Sequence, residues 1–493
     1  MNVRGRIENL KIEKRAYING KYVDAVGGEV IQKTSSIDGS DLSGIASCKK
    51  EDVDRAVAAA KDAFESGVWS RTTHMHRREA LLCLAELMEE NRETLALLDT
   101  YETGRAYKNY YEDSIPKAIE ALRYFAESID KYYDAAIPSD NTEFGIVKKV
   151  PLGVVGLITP WNDPMVVSAW KYGPALAMGN SVILKPAEQS SLSAIYLAGL
   201  TKKAGIPDGV FNVITGYGET AGQALALHKD VRGIFFTGSS EVGKKIMTYA
   251  GESNMKKVGL ECGGKGPYIV TDNCKDVKES AKVLADNMFY NQGQICSAPS
   301  RVIVVQKKYE EFIDALKTEC ERYVPGDPFD DENNVGCVVS REQYDKVQKY
   351  IEEGIRSGAE VYQAKGEKEH HESACCIKPT IIYGISPDNR LAKEEIFGPV
   401  VVILKAESVE DAVRIANDSN YGLAGAVWTD DLDEAFYVAS KVDVGLFHIN
   451  SYGNDDNRSP FGGVKESGLG KDKSMYAFDE YSDLKSIWVH IRR

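Results

Sequence analysis

The chain predicts an α/β protein with two doubly wound parallel-sheet domains and a small β oligomerisation element. Three observations carry that expectation. From residue 150, short apolar runs without polar alternation are separated by amphipathic helical stretches. A second series of the same kind begins near residue 265. The segment 129–148 and the tail "YSDLKSIWVHIRR" belong to neither series.

In the first series, "GVVGLITP" is an apolar strand closed by proline, and "MVVSAWKYGPALAMGN" is a helix stopped by Gly179-Asn180. "SVILKPA" is the next strand, and "SLSAIYLAGLTKKAG" is a helix with apolar residues three to four apart and a glycine stop. "GVFNVITG", helical "ETAGQALALHK" and "VRGIFFTG" continue the alternation. Strands apolar on both faces need helices on both sides, which is the signature of a covered parallel sheet. Such sheets bind ligands at the carboxyl ends of their strands. The second series runs through "GPYIVTD", "DVKESAKVLADNMFYNQ", "RVIVVQ" and "YEEFIDALKTECERY", then "PVVVILKA", "VEDAVRIANDS", "GAVWTDD" and "LDEAFYVASKV". The two outlying segments are rich in aromatic and β-branched residues. In a monomer they would form exposed edges, so they are expected to be contacts of a homodimer or homotetramer.

With 493 residues the chain has room for two or three cores, and 43% hydrophobic with 27% charged residues is ordinary for a globular protein. The net charge of −14 is spread along the chain, which argues against a nucleic-acid partner, since phosphate binding needs clustered Lys and Arg. The N-terminus has charges throughout and no apolar signal core, and no window approaches 18 uninterrupted apolar residues. The expectation is a cytoplasmic protein without a membrane partner. Nine cysteines without a CxxC pair fit a reducing compartment. No HExxH occurs, and His370-His371 lie in a polar loop, so no metal site is expected.

Six stretches offer chemistry. "FFTGSSEVGKKI" resembles a phosphate-binding loop, but Lys245 stands where a magnesium-ligating Ser or Thr is needed. What remains is a glycine-permitted turn at a helix N-terminus, suited to a pyrophosphate or to packing alone. In "LECGGKGP", Glu261 is a general base or a salt-bridged structural carboxylate. Cys296 in "NQGQICSAP" sits on a polar turn, where a reactive thiol is placed more readily than an inert one. Asn162 in "TPWNDP" offers a side-chain amide at a strand's carboxyl end, Glu395 precedes Phe397 in "EEIFGP", and "PFGGVKESGLGKD" is a glycine-rich loop.

Singly these are weak, but their order along the whole chain resembles the NAD(P)-dependent, non-phosphorylating aldehyde dehydrogenase family. The matching motifs are "TPWN", "GNSVILKPAEQS", "FTGSSEVG", "LECGGK", "FYNQGQIC", "EEIFGPV" and "PFGGVKESGLGKD". "YFAESIDK", "SNMKKV" and "GKDKSMYAF" are similar to the branch that oxidises γ-glutamyl-γ-aminobutyraldehyde and related aminoaldehydes. Cys262 and Gly266 depart from the usual "LELGGKSP", and Asp163 replaces the aromatic residue that commonly follows "PWN".

The resemblance implies that residues 1–128 and 149–262 bind NAD, that 263–466 form the catalytic domain, and that 129–148 with 467–493 mediate assembly. It implies Cys296 as nucleophile, the Asn162 amide as oxyanion donor and Glu261 as base for hydrolysis of a thioester. Lys185 and Glu188 are expected at the adenine ribose, Trp161 and Ser239 at the pyrophosphate, and Glu395, Gln343 and Lys346 at the nicotinamide ribose. Ile158, Thr159, Gly238, Gly243 and Phe397 complete the cofactor set. Glu188 would repel a 2′-phosphate, so NAD is preferred and NADP is the weaker cofactor. The aldehyde pocket is expected from Asp113, Lys117, Asp163, Val166, Trp170, Ile295, Ser297, Asp455 and Phe461. Its three aspartates either attract a cationic amine or are neutralised by Lys117 and Arg458. A cysteine thioesterase, which would need a histidine near Cys296, and a catalytically silent scaffold are the rival readings.

Overall fold

The computed structural model describes residues 3–140 and 142–491. Met1, Asn2, Asn141, Arg492 and Arg493, over which the expected first domain, the edge segment and the tail extend, lie outside the described residues. Five strands of the first sheet run parallel, in the spatial order Phe211–Val213, Ser181–Lys185, Val154–Ile158, Gly233–Gly238 and Lys257–Cys262. Val154–Ile158 and Ser181–Lys185 are buried along their whole length, which is why their sequences show no polar alternation. The chain moves outward from Val154–Ile158, then returns to add Gly233–Gly238 on its other side. This reversal of strand order opens a crevice at the carboxyl ends.

Short antiparallel strands extend this sheet to eight. Ala16–Ile18 and Lys21–Val23 flank one edge, and Gly468–Leu469 pairs with Lys257–Cys262 at the other. Strands this short carry no periodic signal and were not visible in the sequence. The second sheet has seven strands, ordered Glu360–Gln363, Thr380–Tyr383, Val400–Ala406, Arg301–Val305, Pro267–Val270, Ala424–Trp428 and Leu446–Ile449. Six are parallel, and only Glu360–Gln363 runs antiparallel to its neighbour.

The segment 129–148 and the tail, both expected as assembly contacts, also meet within the chain. Ser482–His490 pairs with Glu143–Pro151 of the same chain over nine residues, and Ala135–Ile137 completes a three-stranded sheet. The tail is delivered there by the buried Tyr481, whose carbonyl accepts a 2.9 Å bond from Asn180 Nδ2. Ser482–His490 remains the outer strand and is exposed over nearly its full length.

Candidate active site

The crevice at the strand reversal is lined by the turn after each central strand. Pro160, Trp161 and Asn162 follow Val154–Ile158, and Ser239 follows Gly233–Gly238. Ser239 caps the helix Ser240–Ser253 by accepting from the Val242 amide at 3.3 Å. The helix therefore turns its N-terminal amides toward the crevice, an arrangement suited to a phosphate. Opposite stand Gln343, Lys346, Glu395 and Phe397, so the two sheets together enclose a cavity of about 220 Å³ that ends at Cys296. Trp161, Gln343 and Lys346 also line a broad outer cleft of about 900 Å³.

Cys296 lies on the connection between the helix Val277–Phe289 and the strand Arg301–Val305. Two side-chain amides clamp that turn. Gln292 donates to the Ile377 carbonyl at 2.9 Å and accepts from its amide at 3.0 Å, while Gln294 Oε1 accepts from Val339 N at 2.9 Å. Gln292 and Gly293 have φ of 54° and 67°. A Cβ on Gly293 would lie 2.0 Å from the Gly398 carbonyl oxygen, so glycine is required there. Burial pushes the Cys296 thiol up to about 12, helped by the charges of Glu395 and Glu261, while the Ser297 and Cys296 amides pull it back. Asn162 Nδ2 donates to the Gln294 carbonyl at 3.1 Å. One of its two N–H groups is thus used to fix the amide beside the thiol, and the other stays available.

Glu261 lies near the end of the strand Lys257–Cys262 and is buried, and among the described residues neither carboxylate oxygen is hydrogen-bonded. Burial, reinforced by Asp472, drives its carboxyl well above the ordinary range against the pull of Lys171 and Lys471. Burial thus favours its neutral form. Lys171 and Asp472 form a buried ion pair at 2.9 Å, and Lys471 donates to the Gly462 carbonyl at 2.7 Å. Sequence reasoning missed all three, because no motif ties Lys171 to residues three hundred positions away. Glu395 accepts from Gly264 N at 2.8 Å, and burial raises its carboxyl to about 7.

A second cavity, of about 380 Å³, reaches Cys296 from the opposite side. Lys117, Asp163, Val166, Trp170, Ile295, Ser297, Asp455 and Phe461 line it as expected, but Asp113 does not. Asp113 turns back onto Lys117 at 2.8 Å. All three aspartates have a cationic partner, as the second alternative had it, though Arg458 is not among the cations. Asp163 accepts from Arg105 Nη1 and from Ser114 Oγ, both at 3.2 Å, and Asp455 is bonded to Lys473. Arg458 instead takes Asp456. The wall residues missed by the sequence include Tyr290, Tyr452, Lys473 and Glu120. Glu120 is exposed and makes no ion pair among the described residues. The Trp170 and Phe461 rings lie 5.3 Å apart.

Of the expected cofactor residues, Ile158, Thr159, Lys185, Glu188 and Gly243 lie off the inner cavity. Lys185 is buried, donates to the Pro186 carbonyl at 3.1 Å and meets Glu188 at 3.5 Å. Glu188 borders the outer cleft through Gln189, whose amide it accepts at 3.3 Å. Gly243 packs against the neighbouring strand, since a Cβ there would lie 2.9 Å from Cys262 Sγ. Among the described residues no histidine lines either cavity that reaches Cys296, so neither wall, as described, offers the base a cysteine thioesterase needs.

A dinucleotide-type crevice and a separate tunnel converging on one thiol define a cofactor-dependent oxidoreductase that works through cysteine. The "Aldehyde dehydrogenase family" profile matches residues 22–487. The chain belongs to the aldehyde dehydrogenase family. It is 43% identical to the NADP/NAD-dependent aldehyde dehydrogenase PuuC of Escherichia coli, over 98% of this chain and 97% of that one. The solved structure of an indole-3-acetaldehyde dehydrogenase complexed with NAD+ is 43% identical and superposes with a TM-score of 0.97, covering 99% of both chains. That of a γ-glutamyl-γ-aminobutyraldehyde dehydrogenase from Burkholderia cenocepacia is 42% identical with a TM-score of 0.96, covering 100% of both.

Proposed function

We propose that this chain oxidises an aldehyde to its carboxylic acid with NAD as oxidant, through a thioester on Cys296. One observation carries the reading: the inner crevice and the tunnel share Asn162 and Cys296 among their walls. An aldehyde arriving by one route therefore meets the thiol on the side facing the other. Cys296 gives up its proton to solvent, and its sulfur adds to the carbonyl carbon as the carbonyl π bond opens onto oxygen. The resulting oxyanion lies within reach of the free Asn162 N–H and the Cys296 backbone amide, which stabilise charge as it develops. The nicotinamide, when bound, supplies acceptance of the substrate hydride. Glu261, once deprotonated, takes a proton from the water that attacks the thioester, and Cys296 leaves with the acid released.

The crevice fits a dinucleotide. The helix N-terminus at Ser239 suits the pyrophosphate, Glu395 with Lys346 suits a ribose diol, and Glu188 beyond Gln189 disfavours a 2′-phosphate. Residues 1–128 with 149–262 form the cofactor unit, 263–466 the catalytic unit, and 129–148 with 467–493 the assembly element of a cytoplasmic homodimer or homotetramer.

The substrate is an aminoaldehyde. Relatives of nearly equal similarity act on γ-glutamyl-γ-aminobutyraldehyde and on indole-3-acetaldehyde, so similarity does not decide between them. Glu120, the carboxylate in the tunnel wall without a cationic partner, favours an ammonium group. The test is NADH formation with 4-aminobutyraldehyde and butyraldehyde, using NAD and NADP. The amine should gain roughly tenfold in kcat/KM, about one ion pair's worth, and lose that gain in Glu120→Gln. Equal kcat/KM for the two aldehydes would end the aminoaldehyde reading, and activity in Cys296→Ala would end the thioester route.

A further inference from the structure

We propose that Cys337 and Cys376 are a redox-active dithiol, which a peroxide converts to a disulfide beneath the catalytic turn. Their Sγ atoms lie 3.1 Å apart, Cys337 fully buried and Cys376 half-buried. The two segments run side by side, with Val338 N donating to the Cys375 carbonyl at 2.9 Å. Cys337 and Cys376 flank that bond and already face each other. A disulfide bond of about 2.05 Å requires the sulfurs to close by roughly 1 Å, a movement shared between the side chains and the two segments that carry them. Disulfides in reducing compartments are mostly transient and regulatory.

The chemistry balances with hydrogen peroxide as oxidant. The accessible Cys376 sulfur attacks one peroxide oxygen. An S–O bond forms, the O–O bond breaks and the first water leaves. Cys337 then attacks the sulfenic sulfur, the S–S bond forms, the S–O bond breaks, and the departing hydroxide takes the Cys337 proton as the second water. Two electrons pass from the two thiols to the peroxide. A dithiol reductant reverses the step by exchange.

The position of the pair gives the modification a consequence. Cys337 N donates to the Gly104 carbonyl at 2.7 Å, next to Arg105, which holds Asp163 in the tunnel wall. Two residues on, Val339 N holds Gln294, and beside Cys376 the residue Ile377 holds Gln292. Both clamps of the Cys296 turn, and one support of the tunnel wall, therefore hang on the segments a disulfide would draw together. A displacement approaching 1 Å near a reacting atom lowers turnover by up to about a hundredfold.

Two measurements test this. Full-length Cys296→Ala, which lacks the competing thiol, is treated with hydrogen peroxide, alkylated, digested and mapped. A peptide linking Cys337 to Cys376, removed by dithiothreitol, is expected. Complete alkylation of both cysteines after treatment would overturn the proposal. In parallel, wild type and Cys376→Ser are inactivated with peroxide and then reduced. Oxidation of Cys296 contributes equally to both enzymes, so the wild type should show a several-fold larger dithiothreitol-recoverable loss. Equal recoverable losses would overturn the link between the pair and catalysis, and Cys337→Ser serves if Cys376→Ser folds poorly.

Discussion

At the residue scale, the site is built from groups whose protonation runs against their proposed roles. Burial pushes up both the Cys296 thiol and the Glu261 carboxyl and so favours their neutral forms. Glu261 must ionise before it can accept a proton, so deacylation should quicken as pH rises. Glu261→Gln should slow it by roughly two to four orders of magnitude and flatten that pH dependence. A pre-steady-state burst of NADH resolves the step: a surviving burst with slow turnover places Glu261 after hydride transfer, and normal turnover removes it from the mechanism. Stability adds an independent check. A carboxyl whose folded pKa lies above its unfolded value near 4.5 binds more protons folded than unfolded. Folding then weakens by about 1.4 kcal/mol for each pH unit between the two values. Glu261→Gln should therefore melt above wild type at pH 8, with the gap closing as pH falls below 4.5; a pH-independent gap would contradict the buried neutral carboxyl. Cys296, Glu261 and Asn162 were legible in the sequence because each sits in a short motif. Arg105, Lys473 and the Lys171–Asp472 pair were not, because no motif ties these cations to the carboxylates they meet 18 to 301 positions away, and a lone cation looks like a solvated one.

At the element scale, the helix Ser240–Ser253 shows how packing positions chemistry. Its first turn presents Ser239 to the crevice only because Gly243 lets the helix rest on Cys262, one residue after Glu261. The sequence marked Gly243 as a possible ligand contact, since a glycine in a phosphate-type loop and a glycine under a helix look alike until the neighbouring strand is known. Gly243→Ala puts a Cβ 2.9 Å from Cys262 Sγ, so the helix or the thiol must shift. A loss of about 1–3 kcal/mol is expected, with KM for NAD rising more than kcat falls. The double variant Gly243→Ala/Cys262→Ala removes the sulfur and should recover most of both losses. Thermal melts and NAD titrations would show this, and a double variant no better than the single one would mean that the clash does not govern the crevice. The parallel cores were legible for a plain reason: buried strands must be apolar throughout. The two- and three-residue edge strands were not, being too short to have a period.

At the scale of the whole molecule, the sequence picked out both outlying segments as sheet edges but not their mutual pairing. Strand pairing between residues more than three hundred positions apart leaves no local trace. The pairing flanks Gly145–Val147 on both sides, yet it leaves Ser482–His490 as an open edge. Leu484, Trp488 and Val489 on that strand are 64%, 57% and 48% exposed, and Phe144 beside it is 43% exposed. A long, apolar, unpaired edge is an aggregation hazard in a monomer and an interface in a symmetric assembly. The enzyme should therefore sediment as a dimer or a dimer of dimers. Leu484→Glu/Trp488→Glu places like charges where two copies would meet and should lower the mass by at least half. The site lies at the carboxyl ends of both large sheets, away from this strand, so the variant should keep most of its kcat per chain. Light scattering at micromolar concentration decides the matter: an active wild-type monomer, or a variant of unchanged mass, would mean that this edge is not what holds the copies together.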